Sequence, residues 1–194
     1  MQPADKKELK TLSFKTPVEF VKWLSKNHDT SSGIWLRFFK KDSGEKTITY
    51  SEALDEALCY GWIDGQLNSC DDKSWLRKFT PRGQRSVWSK RNTSHAERLI
   101  TAGKMKDSGF AEVEKAKADG RWVKAYDSPA AMKMPDDFLM ELSKHHKAKT
   151  FFESLNRANK YAIGWRLQTA KKPELRDKRI KAIVEMLNKQ QKFH

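Results

Sequence analysis

The chain has 194 residues, of which 38% are hydrophobic and 11% aromatic, and it carries a formal net charge of +14. This apolar content excludes a disordered chain, and no apolar run approaches the roughly 18 residues of a membrane-spanning helix. Residues 1–8 lack the apolar segment of a secretory signal, so we expect a cytoplasmic location. Cys59 and Cys70 are too few for a disulfide framework or a structural zinc site, and no glycine-rich phosphate loop occurs. We therefore expect neither a metal nor a cofactor.

The N-terminal part of the chain begins with a predicted helix and two strands. The helix starts at Pro17, because a proline suits the first helical position and Thr16 can cap it. Residues 34–40 are aromatic and β-branched, which predicts a strand. Residues 46–50 are expected to form its short partner strand.

A second helix and a hairpin follow. Thr49 caps the helix in a capping-box pattern, and the helix is expected to end near residues 61–65. Residues 66–70 and 74–79 then predict two strands joined by a tight turn. The short connections within each strand pair favour an antiparallel sheet.

From Asn92 onward the sequence predicts helices. Their starts are expected at Asn92 or Ser94, at Asp107 or Ser108, at residues 135–137, after residues 151–155, and at Pro173. Ala158, Tyr161, Ala162 and Trp165 fall on one helical face, which predicts a face packed in the core. The elements together predict an α+β protein. A small antiparallel sheet with covering helices is expected in residues 1–128, and a basic helical unit in residues 129–194.

Two turn-like stretches, residues 59–65 and 80–92, concentrate polar and aromatic side chains that do not fall on a regular face. Such groups on loops held by a rigid scaffold are typical of a recognition pocket. We predict that this pocket binds a small anionic ligand through Trp62, Asp64, Arg82, Arg85, Trp88, Ser89 and Asn92. For its tryptophans the alternative is packing in the core.

Asp64 and the two arginines each have more than one interpretation. Beside Trp62, Asp64 could serve an enzyme as an acid or base, or it could close an Asp-Gly turn. Arg82 and Arg85 could clamp a carboxylate or phosphate, or Arg82 could instead pair with Asp64. The sequence alone leaves enzyme activity open.

Positive charge is concentrated in two segments. Residues 73–106 carry ten basic side chains and one acidic one, and residues 141–194 carry fourteen and five. Clustering of this kind is typical of a nucleic-acid-binding surface, although a solvated cationic face has the same pattern. The candidate phosphate contacts are Lys171, Lys172, Arg176, Lys178, Arg179 and Lys181.

Several motifs resemble the YdeI/OmpD-associated, or bacteriocin-protection, family. The motifs are Tyr-Ser-Glu-Ala (50–53), Ala-Leu-Cys-Tyr-Gly-Trp-Ile-Asp-Gly (57–65), Thr-Pro-Arg (80–82), Ser-Val-Trp-Ser (86–89), Leu-Ile-Thr-Ala-Gly-Lys-Met (99–105) and Asn-Lys-Tyr-Ala-Ile-Gly-Trp-Arg (159–166). The resemblance covers nearly the whole chain. It implies a bacterial protein linked to bacteriocin protection and stress resistance, and it implies no reaction, cofactor or catalytic residue.

The predicted function is therefore that of a stress- or bacteriocin-protection protein that binds a small anionic ligand. A nucleic-acid-binding module that uses both basic segments is one alternative. An enzyme with Asp64 as its acid or base is another. The sequence does not determine the oligomeric state.

Overall fold

The computed structural model describes residues 8–170 and 172–194. Within them the chain forms a four-stranded mixed sheet and eight α-helices, which confirms the predicted α+β class. The chain divides into two compact units. The first unit comprises the residues up to Ser86 together with Ser94–Asp119, and the second comprises Val87–Thr93 together with Gly120–His194. None of the helices in the described ranges has both the length and the apolar composition needed to cross a bilayer.

The strands and helices have the following bounds. The strands are β1 (Thr11–Leu12), β2 (Ile34–Phe39), β3 (Trp62–Asp71) and β4 (Ser74–Pro81). The helices are α1 (Pro17–Asn27), α2 (Tyr50–Cys59), α3 (Lys90–Thr101), α4 (Asp107–Ala118), α5 (Asp136–Ser143), α6 (His146–Ser154), α7 (Arg157–Gln168) and α8 (Pro173–Asn188).

Local capping explains where α1 and α2 begin. Thr16 Oγ1 accepts a hydrogen bond from Glu19 N at 3.3 Å, and Pro17 occupies the first turn of α1. At α2 a full capping box forms, because Thr49 Oγ1 accepts from Glu52 N while the Glu52 carboxylate accepts from Thr49 N. Both starts agree with the predictions.

The sheet has the order β1-β2-β4-β3. β4 pairs antiparallel with both β2 and β3, as predicted for the hairpin, whereas β1 runs parallel to β2. The predicted strand at residues 46–50 is wrong. Ile48 is buried, and its N–H donates to Phe14 O at 3.0 Å, so this segment contributes a single apolar side chain to the core and then caps α2.

The core of the first unit lies between the sheet and the helices α1 and α2. Alternate residues of β2 face it, and both helices supply their apolar faces. Its largest fully buried side chains include Phe20, Leu24, Ile34, Leu36, Phe38, Ile48, Leu54, Trp62 and Phe79.

The second unit has a separate core formed by α5, α6, α7 and α8. The buried cluster contains Phe138, Leu142, Ala148, Phe152, Leu155, Ile163, Leu167, Ile180, Ile183, Val184 and Leu187. Phe151 and Phe152 were expected to precede a helix, but they lie inside α6. The helix predicted after residues 151–155 is present as α7, because the chain leaves the helical conformation at Leu155 and Asn156 then caps α7 through a 3.0 Å bond from Asn159 N.

Candidate functional site

Trp62, at the start of β3, is part of the first unit's core. Its side chain is fully buried, and its indole N–H donates to His28 O at 2.9 Å. Trp23 meets it edge to face, with ring centroids 5.6 Å apart. Trp62 could have lined a ligand pocket or packed in the core. Its position agrees with packing in the core.

Asp64, two residues along β3, belongs to a polar cluster with Tyr50 and Arg77. Asp64 Oδ2 accepts hydrogen bonds from Tyr50 Oη at 2.8 Å and from Arg77 Nε at 2.9 Å, and it also contacts Arg77 Nη2. Burial opposes the positive charge of Arg77, but the bond and charge of Asp64 outweigh it and raise the pKa of Arg77. The arginine that pairs with Asp64 is thus Arg77, rather than Arg82 as one interpretation had it.

Arg82 and Arg85 follow the end of β4. The backbone brings this bend to the end of α2, because Arg82 N donates to Gly61 O at 3.0 Å and Trp62 pairs with Pro81. The Arg82 side chain is buried, whereas that of Arg85 is exposed. The two arginines therefore face different surroundings and do not form an open clamp.

Trp88, Ser89 and Asn92 belong to the second unit. The Trp88 side chain is only 2% exposed and lies against Trp122, with ring centroids 4.8 Å apart. Ser89 Oγ accepts from Asn92 N at 3.1 Å, as a helix cap does at the start of α3. The Ser89 hydroxyl thus accepts from an N–H group in the first turn of α3, and the Trp88 ring is buried.

The predicted phosphate contacts on α8 are partly used inside the second unit. Arg176 forms a two-pronged ion pair with Asp137, at 2.5 and 2.8 Å, and donates to Leu167 O. Arg179 donates to Arg166 O. Lys172, Lys178 and Lys181 are exposed, and Lys171 lies outside the described residues. The free cationic face of α8 is therefore smaller than the sequence suggests.

The second unit contains an open groove that the sequence did not predict. Its volume is about 800 Å³, within the range of small-molecule sites. The lining includes Pro129, Arg157, Tyr161, Trp165, Arg166 and His194. The face of α7 that carries Tyr161 and Trp165 was expected to pack in the core, but it lines this groove instead.

The segment before α5 packs against α7 at Gly164 through two methionine side chains. A methyl group on Gly164 would lie 2.7 Å from Met132 Sδ and from Met134 Cε. The missing side chain at Gly164 leaves the space against the helix that the Met132 and Met134 side chains occupy. The segment then reaches Pro129 at the groove.

The aromatic wall is held by neighbouring rings. Trp165 meets Tyr126 edge to face, with centroids 6.1 Å apart and an interplanar angle of 85°. Burial raises the pKa of Tyr161, and the nearby Tyr126 and Asp127 raise it further. Tyr161 is therefore a neutral hydroxyl beside an apolar surface.

Two arginines give the groove its charge. Arg157 donates to Pro129 O through Nε at 3.3 Å and Nη2 at 3.2 Å, and Arg166 Nη1 donates to Ala162 O at 3.0 Å. Burial lowers the pKa of Arg166, and the nearby Arg179 lowers it further. In the described part of the chain neither Arg157 nor Arg166 forms an ion pair, and backbone carbonyls and, for Arg166, the Phe193 ring are the partners of their charges.

His194 lines the remaining side of the groove, and Asn159, which is 2% exposed, holds residues 193 and 194 in place. Asn159 Oδ1 accepts from Phe193 N and His194 N, each at 3.1 Å, and its amide group donates to Asn156 Oδ1 and His194 O. The Arg166 guanidinium lies over the Phe193 ring, 3.7 Å from its centroid. The groove thus combines rigid rings with oriented cations, an arrangement suited to a planar anion.

The comparisons with known families divide the chain in two. Residues 12–112, more than half of the 194, match the family described as Domain of unknown function (DUF8412). The chain belongs to this family. The DUF8412 match contains most motifs that suggested the YdeI/OmpD-associated family, so that resemblance extends over less of the chain than expected.

The family described as Bacteriocin-protection, YdeI or OmpD-Associated matches residues 131–190, which confirms the resemblance for this part of the chain. All of α7 lies within that match, and the DUF8412 match ends before it. Neither the curated proteins nor the solved structures contain a match to this chain.

Proposed function

We propose that the chain binds a small planar anion in the α7 groove. One observation supports this above the others. Arg157 and Arg166 border an aromatic-lined groove, and among the described residues neither of them forms an ion pair with a carboxylate. A carboxylate or sulfonate would supply the opposite charge that these guanidinium groups lack, and an aromatic ring would pack on Tyr161 and Trp165.

The burial of Arg166 adds to the argument. Burial and the nearby Arg179 destabilise the positive charge of Arg166 and so lower its pKa. A bound anion would stabilise this charge. A charge-assisted hydrogen bond contributes about 1.5–3 kcal/mol, which corresponds to roughly a tenfold change in affinity or more.

The family match supports a biological setting for this binding. The YdeI/OmpD-associated segment contains α7, which supports a bacterial role in bacteriocin protection or stress resistance through ligand capture. The Trp62–Asn92 pocket predicted from the sequence is the competing location for the same anion. Exposed Arg85 is its most accessible member.

The test is calorimetric titration with three probes that share a naphthalene ring and carry a negative, neutral or positive substituent: 2-naphthoate, 2-naphthylmethanol and 2-naphthylmethylammonium. We expect 2-naphthoate to bind most tightly. Arg157→Ala should weaken its binding about tenfold, because one charge-assisted contact is lost. Equal affinities for the three probes would overturn the proposal.

Two control variants locate the site. Lys147→Ala removes one exposed positive charge from α6, outside the groove, and should leave binding unchanged. Arg85→Ala examines the competing pocket. If Arg85→Ala weakens binding and Arg157→Ala does not, the ligand belongs to the pocket predicted from the sequence and the groove proposal is wrong.

A further inference from the structure

A second cavity lies in the first unit, beside the end of α1. Its volume is about 480 Å³. Trp23, Asn27, Thr30, Ser31 and Ser32 line one side, and the chain around β1 lines the other. Asn27, Thr30, Ser31 and Ser32 bring hydroxyl and amide groups to this lining, whereas arginines and aromatic rings line the α7 groove.

The hydroxyl-bearing loop is held in place by its own hydrogen bonds. Thr30 N and Ser31 N donate to Asn27 O at 3.3 and 2.9 Å, and Gly33 N donates to Ser31 Oγ at 3.2 Å. Gly33 has a φ of 137°, and a methyl group there would lie 2.8 Å from Phe79 O. The loop backbone therefore rests directly on β4 and is positioned before any ligand arrives, and the Ser31 hydroxyl is bonded to Gly33 within the loop.

Trp23 supplies a fixed ring to the same cavity. Its indole is half-buried, and rings of the core hold it from behind: Trp62 edge to face at 5.6 Å, and Phe14 and Phe20 at 6.4 Å. A partly exposed indole of this kind offers an apolar platform next to hydrogen-bonding groups. The C–H face of a pyranose ring matches such a platform, and its hydroxyl groups match the rim.

The side chains that line the cavity have no excess of positive or negative charge, so they do not favour an ionic ligand. Glu8 and Lys10 are its two charged residues within the described part of the chain, and their charges are opposite. Serine and threonine hydroxyls both donate and accept, and an asparagine amide offers one of each kind of group. A ligand whose substituents can each donate and accept a hydrogen bond is able to pair with these side chains.

We infer that this cavity binds an uncharged saccharide, with one sugar ring near Trp23 and its hydroxyl groups directed at Asn27 and the Thr30–Ser32 loop. This site is separate from the α7 groove. It lies in the first unit and takes a ligand of different chemistry, so it does not depend on the proposed anion binding.

The test is saturation-transfer difference NMR on the full chain with maltose, cellobiose and lactose as probes. Ser32→Phe fills the cavity from an exposed position, and Ser51→Phe places the same ring at an exposed position on α2 as the matched control. We expect transfer to the pyranose ring protons of at least one disaccharide in the parent and in Ser51→Phe, and its loss in Ser32→Phe.

Three outcomes would overturn the inference. The first is an absence of transfer to all three disaccharides at millimolar concentration, and the second is equal transfer in Ser32→Phe and Ser51→Phe. The third is transfer to adenosine, added as a planar nucleoside probe, without transfer to any disaccharide. Far-UV circular dichroism of the two variants checks that both fold alike.

Discussion

Replacing Asp64 with Asn tests whether this carboxylate is a structural element of the first unit. In the folded chain its Oδ2 atom accepts bonds from Tyr50 and twice from Arg77. The Asp64 side chain is 10% exposed and that of Arg77 is 23% exposed, so removal of the negative charge leaves a mostly buried cation unpaired. Such losses cost about 3–5 kcal/mol at fully buried pairs, and partial exposure of Arg77 reduces our expectation to about 2–4 kcal/mol.

Urea unfolding followed by far-UV circular dichroism measures this cost as a shift in the unfolding midpoint. Asp42→Asn removes an exposed carboxylate and should shift the midpoint little. In a double-mutant cycle, Asp64→Asn combined with Arg77→Met should cost clearly less than the sum of the two single changes.

A different result would refute the reasoning about this cluster. A carboxylate maintained for chemistry at the expense of stability can often be neutralised without loss, or even with a gain, of stability. If Asp64→Asn leaves the free energy of unfolding unchanged or raises it, the ion pair with Arg77 does not stabilise the fold. The interpretation of Asp64 as an acid or base would then regain support.

Two further changes test packing and acid sensitivity. Gly109→Ala should lower the free energy of unfolding by about 2 kcal/mol, because its methyl group would lie 2.3 Å from Cys59 O and a helix-propensity gain of about 1 kcal/mol cannot offset that clash. Ala111→Gly, on the exposed face of α4, should cost at most about 1 kcal/mol, and urea unfolding that reverses this ranking would contradict the packing. The ion pair with Lys90 lowers the pKa of Asp127, so its stabilisation is present above the ordinary Asp pKa of about 4 and is lost as pH falls through the lowered value. The difference in melting temperature between the parent and Asp127→Asn should therefore shrink between about pH 6 and pH 3, whereas a constant difference would exclude this linkage.

The starts of α1, α2 and α8 were predictable because their causes lie within four residues of chain, whereas α3 begins at Lys90, before the expected Asn92 or Ser94. Thr16 and Thr49 cap their helices with side chains that reach only three residues ahead, and Pro173 opens α8 for a similarly local reason. The strand β1 has no such local cause. It consists of two residues and is defined only by its pairing with β2. The sequence pattern therefore indicated residues 46–50, instead of β1, as a strand beside β2.

The groove was missed for a related reason. Apolar residues at helical spacing identify a face of α7, but spacing does not say what covers that face. Ile163 and Leu167 point into the core, so the stripe with Tyr161 and Trp165 borders the groove. Only the tertiary arrangement distinguishes the two faces.

Ion pairing was equally hidden from the sequence. The arginine that meets Asp64 is thirteen residues away on the paired strand, and a register shift after Asp64 makes their contact irregular. Arg82 was an equally reasonable partner by sequence distance. Sequence reasoning can therefore name the residue types of a polar cluster without naming its members.

The positive charges of residues 141–194 are of two kinds in the fold, arginines bonded within the second unit and lysines exposed to water. Arginine forms planar, directional bonds, and Arg176 and Arg179 use them on Asp137 and on backbone carbonyls, whereas the lysines of α8 remain in water. Salt screens exposed lysines within about 10 Å at 0.1 M ionic strength, but it screens a partly buried guanidinium such as Arg166 much less. Anion binding at the α7 groove should therefore depend weakly on salt, whereas phosphate binding by the α8 lysines would fall steeply as salt rises. A weak dependence of binding on salt would support a small anion at the partly buried Arg166, whereas a steep dependence would support phosphate binding by the exposed lysines.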